Sequence, residues 1–403
     1  MSQNDSRLKL KCGNLQLENP FLLASGPPTA EGDFIRKALG LGWGGAVTKT
    51  INPDSIEVAD VSPRFGVVKG GDGAIVGFEN IELISKKPVA YWQTEVEKLK
   101  KEYPHKVLIA SIMADREKGS WQTLARQMEH AGADALELNF SCPHGMPEQG
   151  LGSAIGQDPE ITATITRWVK EAVKIPVIVK LSPNVTDIQI IARAAVDAGA
   201  DMLAAINTVQ CLIGVDLDSL DPVPSVEGYS TFGGYSGYAI KPIGLRCVAQ
   251  IAQCVAVPIM GMGGICSWRD AAEYLAAGAG AVQVCTEVML KGVGIIRSLQ
   301  DGLRKYLVQK GFESPEPLVA AAVKKLGSHE QLSRRYAARA NWAAPENCSE
   351  CGKCVSACGE SGYQAITLED HQVIIDNSRC DGCSLCSHVC ATGAIQMRPA
   401  HLH

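Results

Sequence analysis

Leu136-Glu137-Leu138-Asn139-Phe140-Ser141-Cys142-Pro143-His144-Gly145 begins as a strand, with apolar residues alternating around Glu137, and stops where Pro143 and Gly145 forbid further pairing. At that junction the chain presents an amide, a hydroxyl and a thiol within a few residues. An amide can hold a planar polar ring, and a thiol can deliver a proton. Taken alone, Ser-Cys-Pro reads first as a buried cysteine beside a turn. The surrounding chain changes that reading.

Outward from this stretch, residues 8–17 alternate apolar and polar around Gly13-Asn14, which predicts a short hairpin. Strand, loop and helix then repeat. The strands are expected at Phe21–Ser25, Ala46–Thr50, Val107–Met113, Ala135–Phe140, Pro176–Leu181, Met202–Asn207, Pro258–Met262 and Ala281–Thr286. Runs such as Val107-Leu108-Ile109-Ala110 are continuously apolar, as parallel strands covered on both faces require. Helical patterns lie between them, including Val89–Glu102, Trp121–Ala131, Pro159–Val173, Asp187–Ala198 and Ile243–Cys254. Gly40-Leu41-Gly42, Gly132, Gly199 and Gly278 stand just before the next strand, as helix-ending glycines do. The sum predicts a (β/α)₈ barrel of the TIM type, with a doubly wound open sheet as the alternative.

The polar groups sort onto the carboxyl ends of these strands. The second ends in Thr48-Lys49-Thr50, the fourth in Asn139 to Cys142, the fifth in Lys180-Leu181-Ser182-Pro183-Asn184. The sixth ends in Asn207-Thr208, the seventh in Gly263-Gly264 and the eighth in Thr286. A single lysine after an apolar run usually just reaches solvent; six such endings together describe the upper face of a barrel, where active sites sit. Gly233-Gly234-Tyr235-Ser236-Gly237 reads as a glycine-rich loop before the sixth helix. With Gly263-Gly264, it lets backbone N–H groups approach a phosphate near a helix N-terminus. Neither a dinucleotide fingerprint after the first strand nor a Walker loop is present, so a flavin mononucleotide fits better than a nicotinamide or ATP.

The chain of 403 residues has a net charge of −5 and is 46% hydrophobic, which leaves no basic footprint for nucleic acid. No apolar run reaches the length of a membrane span, and the opening residues Met1–Asp5 carry no apolar signal region. A cytoplasmic chain is expected, without a nucleic-acid or membrane partner. Of its 15 cysteines, eight fall between Cys348 and Cys390. They form two runs of identical spacing, Cys348-x2-Cys351-x2-Cys354-x3-Cys358 and Cys380-x2-Cys383-x2-Cys386-x3-Cys390. Zinc is the alternative to weigh, but this spacing is that of bacterial ferredoxins, in which the fourth cysteine of each run serves the other cluster. One 4Fe–4S cluster would take Cys348, Cys351, Cys354 and Cys390; the other would take Cys380, Cys383, Cys386 and Cys358. Gly359 and Ala391 stand where the common pattern has proline, which is not a ligand. The expected organisation is a barrel over 1–310, a helical linker over 311–345 and an α+β two-cluster ferredoxin-like domain over 346–403.

Several segments together resemble a known family. Residues 42–50 (GWGGAVTKT), 78–84 (FENIELI), 135–145 (ALELNFSCPHG), 180–187 (KLSPNVTD), 206–208 (INT) and 233–237 (GGYSG) are similar to dihydropyrimidine dehydrogenase, in its bacterial catalytic form. The resemblance spans essentially the whole chain, within the wider dihydroorotate dehydrogenase relatives. It implies reduction of uracil or thymine to the 5,6-dihydro form, with hydride from N5 of FMN and a proton from Cys142. By position it implies that Asn80, Glu82, Ile84, Asn139, Asn207 and Thr208 bind the pyrimidine. Lys49, Ser141 and Lys180 would contact the isoalloxazine, while Gly237, Gly263, Gly264 and Thr286 would lie near the ribityl phosphate. Electrons would come from NAD(P)H through a separate FAD- and NAD(P)H-binding flavoprotein subunit, so a hetero-oligomer is expected.

Three other readings compete. A dihydroorotate dehydrogenase with a fused ferredoxin would share Lys49, Asn139, Cys142, Asn207 and Thr208. Against it stand His144, where those enzymes usually have asparagine, and Glu82, which would repel a substrate carboxylate. A non-catalytic electron-transfer subunit would tolerate loss of Cys142 or of the asparagines, and neither is lost. A related enzyme acting on another cyclic amide differs only in pocket side chains. The stretch Asp216–Tyr229, placed to cover a substrate, carries no motif of its own.

Overall fold

A computed structural model describes residues 6–140, 153–333 and 336–401. The chain forms two compact units, Met1–Lys325 and Leu326–His403.

The first unit starts with an antiparallel hairpin, β1 (Leu10–Cys12) and β2 (Leu15–Leu17), turned at Gly13 with φ +58°. The barrel begins with β3 (Phe21–Leu23) and β4 (Gly45–Val47). An antiparallel pair, β5 (Phe65–Lys69) and β6 (Ile75–Asn80), precedes β7 (Val107–Ile112), β8 (Ala135–Asn139), β9 (Val177–Leu181) and β10 (Met202–Ala205). Next come β11 (Val209–Cys211), β12 (Gly214–Val215), β13 (Pro222–Val223) and β14 (Gly233–Ser236). Finally β15 (Ile259–Met262) and β16 (Ala279–Val284) return to β3 and close the ring. Strands β3, β4, β7, β8, β9, β10, β15 and β16 form a closed parallel barrel, so the open-sheet alternative is excluded.

Alternation along each strand divides the core in two. Leu22, Val47, Ile109, Ala135, Ile178, Ala204, Met260 and Ala281 share one cluster with Leu10, Cys12, Leu15 and Leu17 of the hairpin. The hairpin therefore closes the amino-terminal mouth of the barrel, leaving the carboxyl ends for chemistry. Neighbouring strand residues such as Phe21, Leu23, Ala46 and Leu108 pack with Trp92, Trp121 and other helix residues. Helix Val89–Glu102 has the boundaries its apolar period predicts. Gly132, Gly199 and Gly278 take φ of +92°, +99° and +117° directly after the capping alanines, where only glycine is unstrained.

Two stretches depart from the sequence reading: Gly233–Ser236, and the 311–345 linker expected to be helical, whose described residues hold 3₁₀ turns and the strand Tyr336–Trp342. Gly233–Ser236 is a strand, not a loop: it pairs with β6 on one side and β11 on the other. With β5 these strands form a four-stranded sheet. The glycines are needed because a Cβ at Gly233 would lie 2.6 Å from the Glu79 side chain, and one at Gly234 would lie 2.3 Å from Thr208 Oγ1. Residues 316–325 run as short 3₁₀ turns against the barrel, with Ala320 and Ala322 donating to the carbonyls of Leu275 and Ala276 at 2.9 Å.

In the second unit β17 (Tyr336–Trp342) pairs antiparallel with β20 (Ile395–His401), and β18 (Ile366–Glu369) with β19 (Gln372–Ile375). Two short helices, Lys353–Glu360 and Leu385–Val389, each enter from a residue in the left-handed region, Gly352 and Ser384. The buried core is small: Ala340, Ile366, Val373, Cys386 and Ile395.

Candidate functional site

A cavity opens at the carboxyl ends of the barrel strands and holds about 1120 Å³ of empty space, its mouth included. Its wall contains twelve of the residues expected there: Lys49, Asn80, Glu82, Ile84, Asn139, Lys180, Asn207, Thr208, Gly237, Gly263, Gly264 and Thr286. Ser141 and Cys142 lie outside the described residues. Positions more than two hundred residues apart in sequence thus meet at one site, because each follows or ends a barrel strand or the four-stranded sheet above it.

A chain of hydrogen bonds crosses the inner face. Thr50 Oγ1 lies 3.3 Å from Ser25 Oγ and 2.9 Å from Ser111 Oγ. Asn139 Nδ2 donates to Thr50 Oγ1 at 2.9 Å, and Asn207 Nδ2 donates to Asn139 Oδ1 at 3.4 Å. Both amides are thereby oriented before any ligand arrives. Thr208 N–H donates to Asn207 Oδ1 at 2.8 Å, and Asn80 Nδ2 reaches the Gly234 carbonyl at 3.4 Å.

Charge is paired within the same wall. Lys49 Nζ lies 2.7 Å from Glu82 Oε2, both side chains about one-tenth exposed, and Arg64 Nε lies 3.2 Å from Glu82 Oε1. Lys180 Nζ lies 3.4 Å from Glu137 Oε1, deeper in the barrel.

At one end of the cavity the two glycine segments touch. A Cβ at Gly264 would lie 2.8 Å from Lys241 N and 2.9 Å from Gly237 O. Thr286 Oγ1 donates to Ser236 Oγ at 2.8 Å. This concavity lies at the N-terminus of the 14-residue helix Lys241–Cys254, whose first N–H groups have no partner within the helix. The Lys241 ammonium is engaged by Asp270 at 2.5 Å and Glu273 at 2.9 Å, so an anion here would meet backbone N–H groups rather than that cation.

Ser25, Thr50, Ser236, Gln283 and Cys285 also line the cavity; the sequence reading set Thr50 at a strand end and Ser236 beside the glycines without giving either a site role, and did not single out the other three. Ser25 and Thr50 follow β3 and β4 and obey the same carboxyl-end rule, so that signal was present. Gln283 is a lone polar residue inside the apolar run of β16, a weaker sign. Burial pushes the Cys285 thiol up to about 11, and the thiols of Cys12 and Cys266 up to about 12, which keeps these protonated and inert near neutral pH.

The second unit contains two further cavities. Cys348, Cys351, Cys354 and Cys390 line one, and Cys358, Cys380, Cys383 and Cys386 line the other. Among the described residues, no three His, Cys, Asp or Glu side chains are grouped as they would be on a single metal ion. Backbone N–H groups, that of Lys353 at Cys351 and that of Ile395 at Cys390, hold those two thiols below the ordinary cysteine value, favouring the ligating thiolate. No helix among the described residues is long and apolar enough to cross a membrane.

Residues 7–307 match the family model described as dihydroorotate dehydrogenase, and residues 342–397 match that of the 4Fe-4S dicluster domain. The chain belongs to the dihydroorotate dehydrogenase family. Within the wider family it is 39% identical over 399 residues to the NAD-dependent dihydropyrimidine dehydrogenase subunit PreA of Escherichia coli K12, covering 96% of this chain and 94% of that one. It is 38% identical over 345 residues to the chloroplastic dihydropyrimidine dehydrogenase (NADP(+)) of Arabidopsis thaliana, covering 83% and 81%. The catalytic subunit of dihydroorotate dehydrogenase B (NAD(+)) from Pyrococcus furiosus is 39% identical over 319 residues, covering 79% of this chain and 99% of that one.

Proposed function

We propose that the chain is the catalytic subunit of a dihydropyrimidine dehydrogenase, reducing the 5,6 double bond of uracil or thymine. The observation that carries this reading is the pairing of Lys49 with Glu82 inside the cavity. A ring carboxylate, as in orotate, would need a desolvated cation; here it would have to compete with Glu82, which already holds both Lys49 at 2.7 Å and Arg64 at 3.2 Å. A neutral pyrimidine meets no such penalty. The extent of likeness agrees: the relative named as a dihydropyrimidine dehydrogenase subunit is matched over 96% of this chain, the dihydroorotate dehydrogenase subunit over 79%.

The cavity suits FMN. The glycine cradle of Gly237, Gly263 and Gly264, with Thr286, would hold the phosphate, while Lys49, Lys180 and Ser141 would lie against the ring system. Bound FMN supplies hydride chemistry and accepts electrons singly or in pairs. Asn80, Asn139, Asn207 and Thr208 would hold the pyrimidine by its amide edges, with Glu82 and Ile84 completing the pocket. Cys142 would then give its proton to C5 as hydride reaches C6, so that both hydrogens of the new C–H bonds are supplied. Each cage of four cysteines would hold one 4Fe–4S cluster, the fourth ligand crossing between runs. Electrons would reach the clusters from NAD(P)H through an FAD-containing flavoprotein subunit, in keeping with the name of the E. coli relative as a subunit. The cysteine-rich, cluster-binding composition suits a reducing compartment and supports a cytoplasmic location.

The test is Cys142→Ala in the chemically reduced protein. Uracil binding should persist, formation of dihydrouracil should stop, and deuterium from solvent should enter C5 only in the unsubstituted protein. Undiminished reduction by Cys142→Ala would remove the cysteine from the reaction.

A further inference from the structure

Glu137 on β8 and Gln283 on β16 face each other inside the barrel, both essentially inaccessible to solvent. Gln283 Nε2 donates to Glu137 Oε2 at 2.8 Å. A carboxylate only accepts, so the amide has one possible orientation: its NH₂ toward Glu137 and its carbonyl oxygen away. That oxygen, Oε1, has no hydrogen-bond partner among the described residues, although Gln283 forms part of the cavity wall. A buried acceptor left unpaired is costly, so its retention at a ligand cavity points to a donor that arrives with the ligand. Lys180 is the neighbour on the other side. Its Nζ stands 3.4 Å from Glu137 Oε1 without the geometry of a hydrogen bond, so charge holds it there.

An acceptor beside a cation is the complement of an imide, an N–H flanked by carbonyl oxygens. We infer that Gln283 accepts the imide N–H of the flavin while Lys180 faces an adjoining carbonyl, with Glu137 as the positioning residue that sets both. This rests on the reading of the cavity as an FMN site. Uracil carries the same imide, but Gln283 and Lys180 are 1% and 5% exposed on the inner strands. Asn80, at the end of β6, and Thr208, directly before β11, line the cavity from the four-stranded sheet, and that is where the pyrimidine is expected.

The test titrates the flavin-free full-length protein with FMN and with N3-methyl-FMN, following flavin fluorescence. The original protein should prefer FMN by about 10- to 100-fold, the usual cost of a buried polar group left unpaired. Gln283→Leu should bind FMN more weakly and lose the preference; relief of crowding alone would not weaken FMN. Glu137→Gln, whose carbonyl still accepts from Gln283, should keep the preference, and Glu137→Leu should lose it. FMN binding without discrimination, or discrimination that survives in Gln283→Leu, overturns this inference while leaving the FMN site standing. Failure of the original protein to bind FMN at all overturns the cavity reading itself. A parallel titration compares uracil with 3-methyluracil; a preference there that Gln283→Leu abolishes, with none for the flavin, would move the contact to the substrate and overturn the assignment.

Discussion

The barrel cavity and the cysteine cages would both hold redox groups, yet they are built in opposite ways. The cages are lined by cysteines from short runs of chain, each completed by one cysteine from the other run. Among the described residues, the buried cluster beside them holds five side chains, one of which, Cys386, is itself an expected ligand. The cavity draws on strands spread from Ser25 to Thr286 and rests on two extended apolar clusters that need no cofactor to pack. The lesson concerns where folding energy comes from. A unit with so little apolar burial is expected to lean on metal ligation for its fold, whereas the barrel can fold first and bind afterwards.

The largest expected effect follows from the crossed ligation. Cys348→Ser and Cys390→Ser belong to the same cage, so together they should lose no more iron than either alone, leaving about four of roughly eight atoms. Cys348→Ser with Cys358→Ser strikes both cages and should leave almost none. Iron analysis and the spectrum of the reduced protein decide this; equal losses from both pairings would break the assignment. In all these variants FMN affinity should stay within about 2-fold of the original, because the barrel core is separate.

A smaller effect is expected in the barrel. Gly264→Ala places a Cβ 2.8 Å from Lys241 N at φ +69°, so the phosphate cradle must open. FMN affinity should fall at least about 10-fold and stability by about 1–3 kcal/mol, read from fluorescence titration and denaturant midpoints. Unchanged affinity would place the phosphate elsewhere.

The smallest effect is a pH dependence in the sheet above the cavity. Burial pushes the Glu79 carboxyl above the usual carboxylate range, against hydrogen bonds from Cys211 Sγ at 3.2 Å and Gly233 N–H at 3.1 Å. The folded state then binds a proton more readily than the unfolded chain. Its contribution to stability should therefore fall as pH rises from the ordinary carboxylate range through the raised value. Denaturant midpoints measured across that range should decline less in Glu79→Gln than in the original protein. Parallel declines would show that Glu79 is not the titrating group.

How much of this was legible beforehand depended on the range of the signal. The paired cysteine runs and the alternation of strands and helices are local patterns, and the structure sets four cysteines around each cavity and closes the barrel. Asn139 and Lys180 were found because polar residues at carboxyl ends of apolar strands repeat along the chain. The four-stranded sheet was not found: Gly233-Gly234 reads as a loop until Glu79 and Thr208 come close enough to exclude side chains. Gln283 was missed for a related reason. Its meaning lies in Glu137 across the barrel, and no spacing in the sequence connects them.

The central claim, a flavin site that reduces a neutral pyrimidine, is tested most directly by a single half-reaction. The complete chain is reduced with dithionite without oxygen, uracil or orotate is added, and the visible flavin band is followed. Rapid reoxidation by uracil and little by orotate is the predicted result. Reoxidation by orotate and not by uracil would contradict the account and return the chain to dihydroorotate chemistry.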